Sequence, residues 1–277
     1  MRIPQPLVRE WAHERAWIDH LPRLVVECSE RWGIELEEPV ETPHSLVVPA
    51  GDVVLKLNAP SHYEADHEAD ALAVWAGAGA ARLLARDDAR RALLLERCRP
   101  GTRLWDAGGD APAVVADILP RLARSLDAPH PFRLLADEAE RWAEEVPERY
   151  DRSGRPFERR VLELAVDVFR SADTSAASLV NQDLHGGNIL RAEREPWLVI
   201  DPKPLVGERE LDAVGLLRNA ALRREPLDRW LDVLAALGLD RDRARGWGIA
   251  HALAWGWEVR RGWSEASIHV ARTIAAA

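Results

Sequence analysis

Asp183, Asn188 and Asp201 lie close together in the segment 180–204, VNQDLHGGNILRAEREPWLVIDPKP. An acid, an amide five residues on and a second acid ending an apolar run suit phosphoryl transfer from a nucleoside triphosphate. One carboxylate would face an attacking hydroxyl, and the amide oxygen and second carboxylate would hold Mg²⁺ against the phosphates. Each residue alone has a plainer explanation. Asp183 suits the cap of a turn and Asn188 a left-handed turn position. Asp201 closes the run WLVI before Pro202, which stops further ladder pairing. The three together predict a phosphotransfer centre.

A second feature lies upstream. Lys56 sits in VVLKL, where strand alternation turns it to the face opposite Leu55 and Leu57. A lysine so placed can meet phosphates as a point charge, and Glu68, twelve residues on in a helical pattern, suits the partner that orients it. A surface lysine on an edge strand is the plain alternative. His185 has no second His or Cys at ligand spacing, so it is read as orienting its loop. There is no G-x-x-x-x-G-K-[ST] loop, no G-x-G-x-x-G and no G-x-S-x-G elbow, which argues against P-loop, dinucleotide-binding and serine-hydrolase chemistry.

The elements that must hold these groups show in the periodicity. Residues 7–32 carry apolar positions at helical steps, and 45–57 reads as a hairpin about Pro49-Ala50-Gly51-Asp52. A helix is predicted over 62–75 and a strand over 91–97, with Pro100-Gly101 as a break. Helices follow over 113–126, 134–146 and 157–169, and again over 230–237, 244–259 and 267–276. The fold class expected is α+β. A small first lobe (1–98) would carry an antiparallel sheet and one helix, and a larger lobe (99–277) would be mainly helical.

Bulk properties bound the function. With 277 residues, 47% hydrophobic and 30% charged, the chain has the balance of a soluble globular protein with a sizeable core. A net charge of −9 argues against non-specific nucleic-acid binding and suits a cationic small-molecule partner. Two unpaired-looking cysteines, Cys28 and Cys98, exclude a cysteine-rich zinc module. The first segment, broken by charge and proline, reads as neither signal peptide nor membrane span, so a cytoplasmic location is expected. Most of the twelve tryptophans are expected to be core anchors.

Several strings together resemble one family. VVLKL around Lys56, HEADAL around Glu68, ALLLERCRPG, QDLHGGNIL and EPWLVIDPKPLVGE run in order across residues 45–217. They are similar to the aminoglycoside and hydroxyurea phosphotransferases of the protein-kinase-like fold, above all to the streptomycin 6-kinase branch. The resemblance implies an ATP- and Mg²⁺-dependent kinase for a hydroxyl of a small molecule. It implies Lys56 at the α- and β-phosphates with Glu68 as partner, and Glu96, Arg97 and Cys98 as the backbone segment at adenine. It also implies Asp183 as catalytic base, Asn188 and Asp201 as Mg²⁺ ligands, and Lys203 supporting the metal-binding turn. Glu208, Glu210 and Asp212 would lie towards the acceptor, although a solvated face is their plainer reading. Two departures stand out: Asn181-Gln182 replaces the family's His-Gly before the acid, and no glycine-rich loop covers the phosphates. A kinase for another metabolite and a nucleotide-binding pseudokinase scaffold are the alternatives.

Overall fold

The computed structural model describes residues 1–258 and 261–277. The chain opens with helices α1 (Gln5–Glu10) and α2 (Arg15–Trp32), strands β1 (Ser45–Ala50) and β2 (Val53–Asn58), helix α3 (Glu68–Trp75), and strands β3 (Leu83–Asp87) and β4 (Ala92–Glu96). Helix α4 (Ala111–Leu122), strand β5 (Arg124–Ser125), helices α5 (Leu135–Arg152) and α6 (Arg159–Arg170), and strand β6 (Ser178–Asn181) follow. Next come β7 (Ile189–Arg191), β8 (Trp197–Val199) and β9 (Pro204–Gly207), then helices α7 (Val214–Arg223), α8 (Leu227–Ala236) and α9 (Arg241–Trp255). The chain ends with β10 (Trp257–Glu258), β11 (Gly262–Trp263) and α10 (Glu265–Ala276). Two compact units result: Met1–Thr102 with Arg191–Ile200, and Arg103–Leu190 with Asp201–Ala277.

In the first unit, four antiparallel strands pair in the order β1-β2-β4-β3. Register puts Leu46 opposite Leu57 and Val48 opposite Leu55, so these four side chains share one face. They form a buried cluster with Leu7, Trp17, Leu21, Val25 and Cys28 of α1 and α2. The alternate residue Lys56 takes the other face, where α3 supplies Glu68. Two differences from the sequence expectation have simple causes. The hairpin turn is Gly51-Asp52 alone, because β1 is an edge strand and so tolerates Pro49 within it. Strand β3 buries Asp87 and leaves Leu84 exposed, the reverse of an apolar-in, polar-out alternation, so periodicity gave no signal for it.

The second unit is built round α9, which is capped by Asp240 and packs against α5, α6, α7, α8 and α10. Nine of its residues are buried, with Trp247 among them. From Trp247 to Ala254 every residue is buried, so this part of the helix has no solvent face and hence no amphipathic stripe. Predicted helix 244–259 corresponds to α9, although its final residue lies outside the described residues. Helix α5 continues through Pro147 to Arg152 rather than stopping near 146, and α7 was not foreseen. Strands β5, β6 and β9 form an antiparallel sheet in that order. Asn181 at the end of β6 lies opposite Pro204 at the start of β9, and that register brings the loops after one and before the other to a single place.

Helix α7 starts hard against the loop after β6. A Cβ on Gly215 would collide with the backbone carbonyl of Leu184, which cannot swing aside as a side chain would. Gly215→Ala is therefore expected to cost about 1–3 kcal/mol of stability through overpacking. Urea unfolding of the two proteins checks this.

Candidate active site

In the first unit, Lys56 Nζ donates to both carboxylate oxygens of Glu68 at 2.7 Å. Glu68 is 0% exposed and Lys56 5%, so the pair is buried. Asn58 Nδ2 donates to Glu68 Oε2 at 3.2 Å, and Ser45 Oγ donates to Asn58 Oδ1 at 2.6 Å. This run of bonds aims the carboxylate, and the carboxylate aims the ammonium. A buried pair of this kind is weak evidence for net stability but leaves the lysine few alternative directions.

At the end of β4, Glu96 receives Arg194 Nε and Nη2 at 2.7 and 2.8 Å and the backbone N–H of Arg82 at 3.0 Å. Burial alone would raise its carboxyl, but Arg194 and the Arg82 N–H pull it below the ordinary value. The backbone N–H of Arg97 donates to Asp52 O. Cys98 follows, its thiol pushed up to about 12 chiefly by burial, with Glu96 adding to the rise.

The second unit holds the acids. Asp183 is 7% exposed. Arg218 Nη2 donates to its Oδ1 at 2.6 Å and Lys203 Nζ to its Oδ2 at 3.1 Å. Burial by itself would raise this carboxyl, yet Lys203 and Arg218 together hold it below the usual range. Asn188 Nδ2 donates to the backbone O of Asp183 at 3.1 Å and to its Oδ2 at 3.3 Å. Both bonds use the nitrogen of Asn188, and its other end is an amide oxygen of the kind hard cations prefer. Asp201 adopts φ +51°, a left-handed conformation that costs a non-glycine residue energy and is retained where surrounding structure imposes it. Its charge is felt at His185.

The loop between these residues is over-determined. Asn181 is fully buried, and its Oδ1 accepts the backbone N–H of Asp183 at 3.1 Å and of Lys203 at 3.0 Å. His185 Nδ1 accepts the N–H of Gly187, and its ring stacks on Trp105 at 4.8 Å. Burial brings that imidazole down to about 4, so it is neutral near pH 7. A side chain at Gly186 would collide with Trp105, which explains the glycine. Gln182 Oε1 faces His251 Nε2 at 3.4 Å.

Several residues behave differently from expectation. Lys203 is ion-paired to Asp183 rather than acting only on the turn around Asp201. Glu208 does not belong to a solvated face: it is buried and binds Arg243, Trp247 Nε1 and the N–H of Asp173. Its neighbours bring three kinds of donor, which offset the loss of water. Asp212 accepts the backbone N–H of Asn181 at 2.7 Å, so it supports the loop from behind. Arg218 was not foreseen, because one arginine on an apolar helix face carries no pattern. Its only sequence signal is its place on the first helix after the acidic run.

Asn188 and Asp201 offer an amide and a carboxylate oxygen. Mg²⁺ is commonly held by one or two such protein groups, with phosphates and water completing its shell. Among the described residues, no group of three His, Cys, Asp or Glu forms a self-sufficient metal cage. The donor set fits a metal that shares its ligands with a phosphate substrate.

A model of the family described as aminoglycoside/hydroxyurea antibiotic resistance kinase matches residues 31–262. The streptomycin 6-kinase of Streptomyces glaucescens is 34% identical over 91% of this chain and 89% of its own length. The hydroxyurea phosphotransferase of Kitasatospora aureofaciens is 37% identical over 90% of this chain and 76% of its own. Among solved structures, a choline kinase from Streptococcus pneumoniae matches with a TM-score of 0.63 at 11% identity, covering 93% of this chain and 98% of that one. That last likeness shows the protein-kinase-like fold.

Asp212 generates a pH test. Burial raises its carboxyl to about 7, against the N–H of Asn181 and Arg209, which both lower it. Between about pH 4 and 7 the unfolded chain releases this proton while the fold keeps it, so the residue's contribution to stability falls as pH rises. Asn at this position can still accept the N–H of Asn181 without ionising. The stability of Asp212→Asn minus that of the native protein should therefore grow from pH 4 to above 7, read by urea unfolding across that range. A flat difference would remove the buried carboxylate from the explanation.

Proposed function

The chain belongs to the aminoglycoside/hydroxyurea antibiotic resistance kinase family, and we propose that it uses ATP and Mg²⁺ to phosphorylate a hydroxyl of an aminoglycoside, streptomycin-like in type. As a member it is a small-molecule phosphotransferase. Its acceptor, cofactors and residue roles are our reading. The observation that carries the reading is Asp183: a buried carboxylate kept ionised between Lys203 and Arg218, tied through its loop to Asn188.

In this reading, Asp183 orients the acceptor hydroxyl and takes its proton late in transfer, as positioning catalysis requires. Its lowered carboxyl makes it a weak base, which suits a loose transition state in which the hydroxyl loses its proton late. Lys203 and Arg218 offset its negative charge and that of an arriving phosphoryl group. Lys56, aimed by Glu68, meets the α- and β-phosphates. Backbone groups of the segment Glu96, Arg97 and Cys98 meet adenine. Asn188 and Asp201 would hold Mg²⁺, which supplies charge neutralisation at the phosphates when bound.

The excess of acidic residues suits a cationic acceptor. No described helix is long and apolar enough to cross a membrane. Both cysteines are free thiols, in keeping with work in the cytoplasm, where ATP is supplied. A kinase for a different hydroxylated metabolite is the second reading, favoured by the hydroxyurea-acting relative.

Two substitutions test the roles. Asp183→Ala should reduce turnover by at least a thousandfold while ATP binding persists; near-native ADP release would refute its assignment. Asp201→Ala should abolish the Mg²⁺ dependence of nucleotide affinity in calorimetry. Assaying ADP release over a panel of aminoglycosides and amino sugars, with mass spectrometry of the product, identifies the acceptor.

A further inference from the structure

We propose that a pocket of about 150 Å³ in the second unit seats an uncharged, ring-sized part of the acceptor beside Asp183, and that Arg218 sets this preference. The proposal rests on the phosphotransferase reading, which supplies the acceptor.

The pocket is formed by α7, α9 and α10. Two of its walls are linked to the Asp183 carboxylate, Arg218 directly and Trp255 through Lys203. Arg218 lines it and donates to Asp183 at 2.6 Å. Trp255 lines it with the Lys203 ammonium 5.4 Å from its ring centroid, and Lys203 is itself bonded to Asp183. A group seated here is therefore a neighbour of the reacting hydroxyl. Cavities of roughly 150 Å³ accept a single six-membered ring such as benzene, so a whole multi-ring acceptor cannot enter.

The charge of the lining decides what kind of ring. No Asp or Glu is among the described residues that line the pocket; Ala252, Ala266, Ser267 and Val270 supply much of the rest. Arg218 is a permanent cation. His251 adds no charge of its own, since burial, then Arg218 and Lys203, bring its imidazole down to about 3 and leave it neutral. The face of Trp255, the natural seat for an ammonium, already has Lys203 over it. A protonated amine entering would lose its water and meet the surplus positive charge of Arg218 and Lys203, two cations that share the single carboxylate of Asp183. A hydroxyl, ether or carbonyl oxygen meets a guanidinium with five N–H donors, of which the contact to Asp183 uses one. The cationic groups of an aminoglycoside consequently stay outside this pocket.

The test titrates the protein calorimetrically, without nucleotide, with two probes of equal ring size: inositol, which is neutral, and 2-deoxystreptamine, a diamine. Ala266 stands on the exposed rim and makes no contact with Asp183, so its variants change the pocket and leave the catalytic groups intact. The expected result is at least tenfold tighter binding of inositol by the native protein. Ala266→Phe should weaken that binding at least tenfold, and Ala266→Glu should shift the ratio towards the diamine by a similar factor. Equal or tighter binding of the diamine, no binding of inositol at millimolar concentration, or indifference to Ala266→Phe would overturn the proposal. Mg²⁺-dependent ATP turnover is measured separately. Turnover without the expected probe preference removes the pocket assignment alone, whereas the preference without turnover removes the kinase reading and with it the acceptor, leaving a ring-sized ligand pocket whose occupant is not phosphorylated.

Discussion

The amide oxygen of Asn181 is the point on which the second unit's chemistry depends. One oxygen accepts two backbone N–H groups, from Asp183 and from Lys203, and so joins the loop leaving β6 to the segment entering β9. Asp212 holds the N–H of the same residue from the other side. Three bonds to one buried residue set where Asp183, Lys203 and Asp201 can be. Satisfying these groups inside protein is what makes the arrangement rigid, because each would be costly to leave unmade.

The electrostatics follow from that geometry. Two cations converge on one carboxylate, and their pull exceeds the opposing effect of burial. Neutral imidazoles at His185 and His251 add shape and hydrogen bonding without adding charge. The first unit follows a simpler rule, with one ammonium matched by one carboxylate and the carboxylate steadied by Asn58. In both places a buried charge is accompanied by its opposite, which is the condition for keeping it ionised.

Much of this was legible in the sequence where residue type and spacing work over short distances. Alternation in VVLKL turned Lys56 to the right face, and the Glu68 partner followed from one helix further on. The loop carrying Asp183, Asn188 and His185 was readable because its glycines and acids are local features. What escaped depends on long-range packing. Arg218 meets Asp183 across 35 residues, and Glu208 meets Trp247 across 39. Asn181-Gln182 stands where the resembled family pattern has His-Gly. The fold shows both side chains engaged, Asn181 with two N–H groups and Gln182 with His251. Strand β3 and helix α7 were missed because their burial comes from neighbours and not from their own periodicity.

The two cysteines have a practical consequence. Cys28 is sealed in the core beneath the sheet and its thiol is raised by burial, while that of Cys98 stands near 12. Reagents such as maleimides attack thiolates, and neither site supplies one in useful amount at neutral pH. A cysteine introduced on an exposed helix face would thus take up a fluorophore or spin label selectively, with no need to mutate the native pair first.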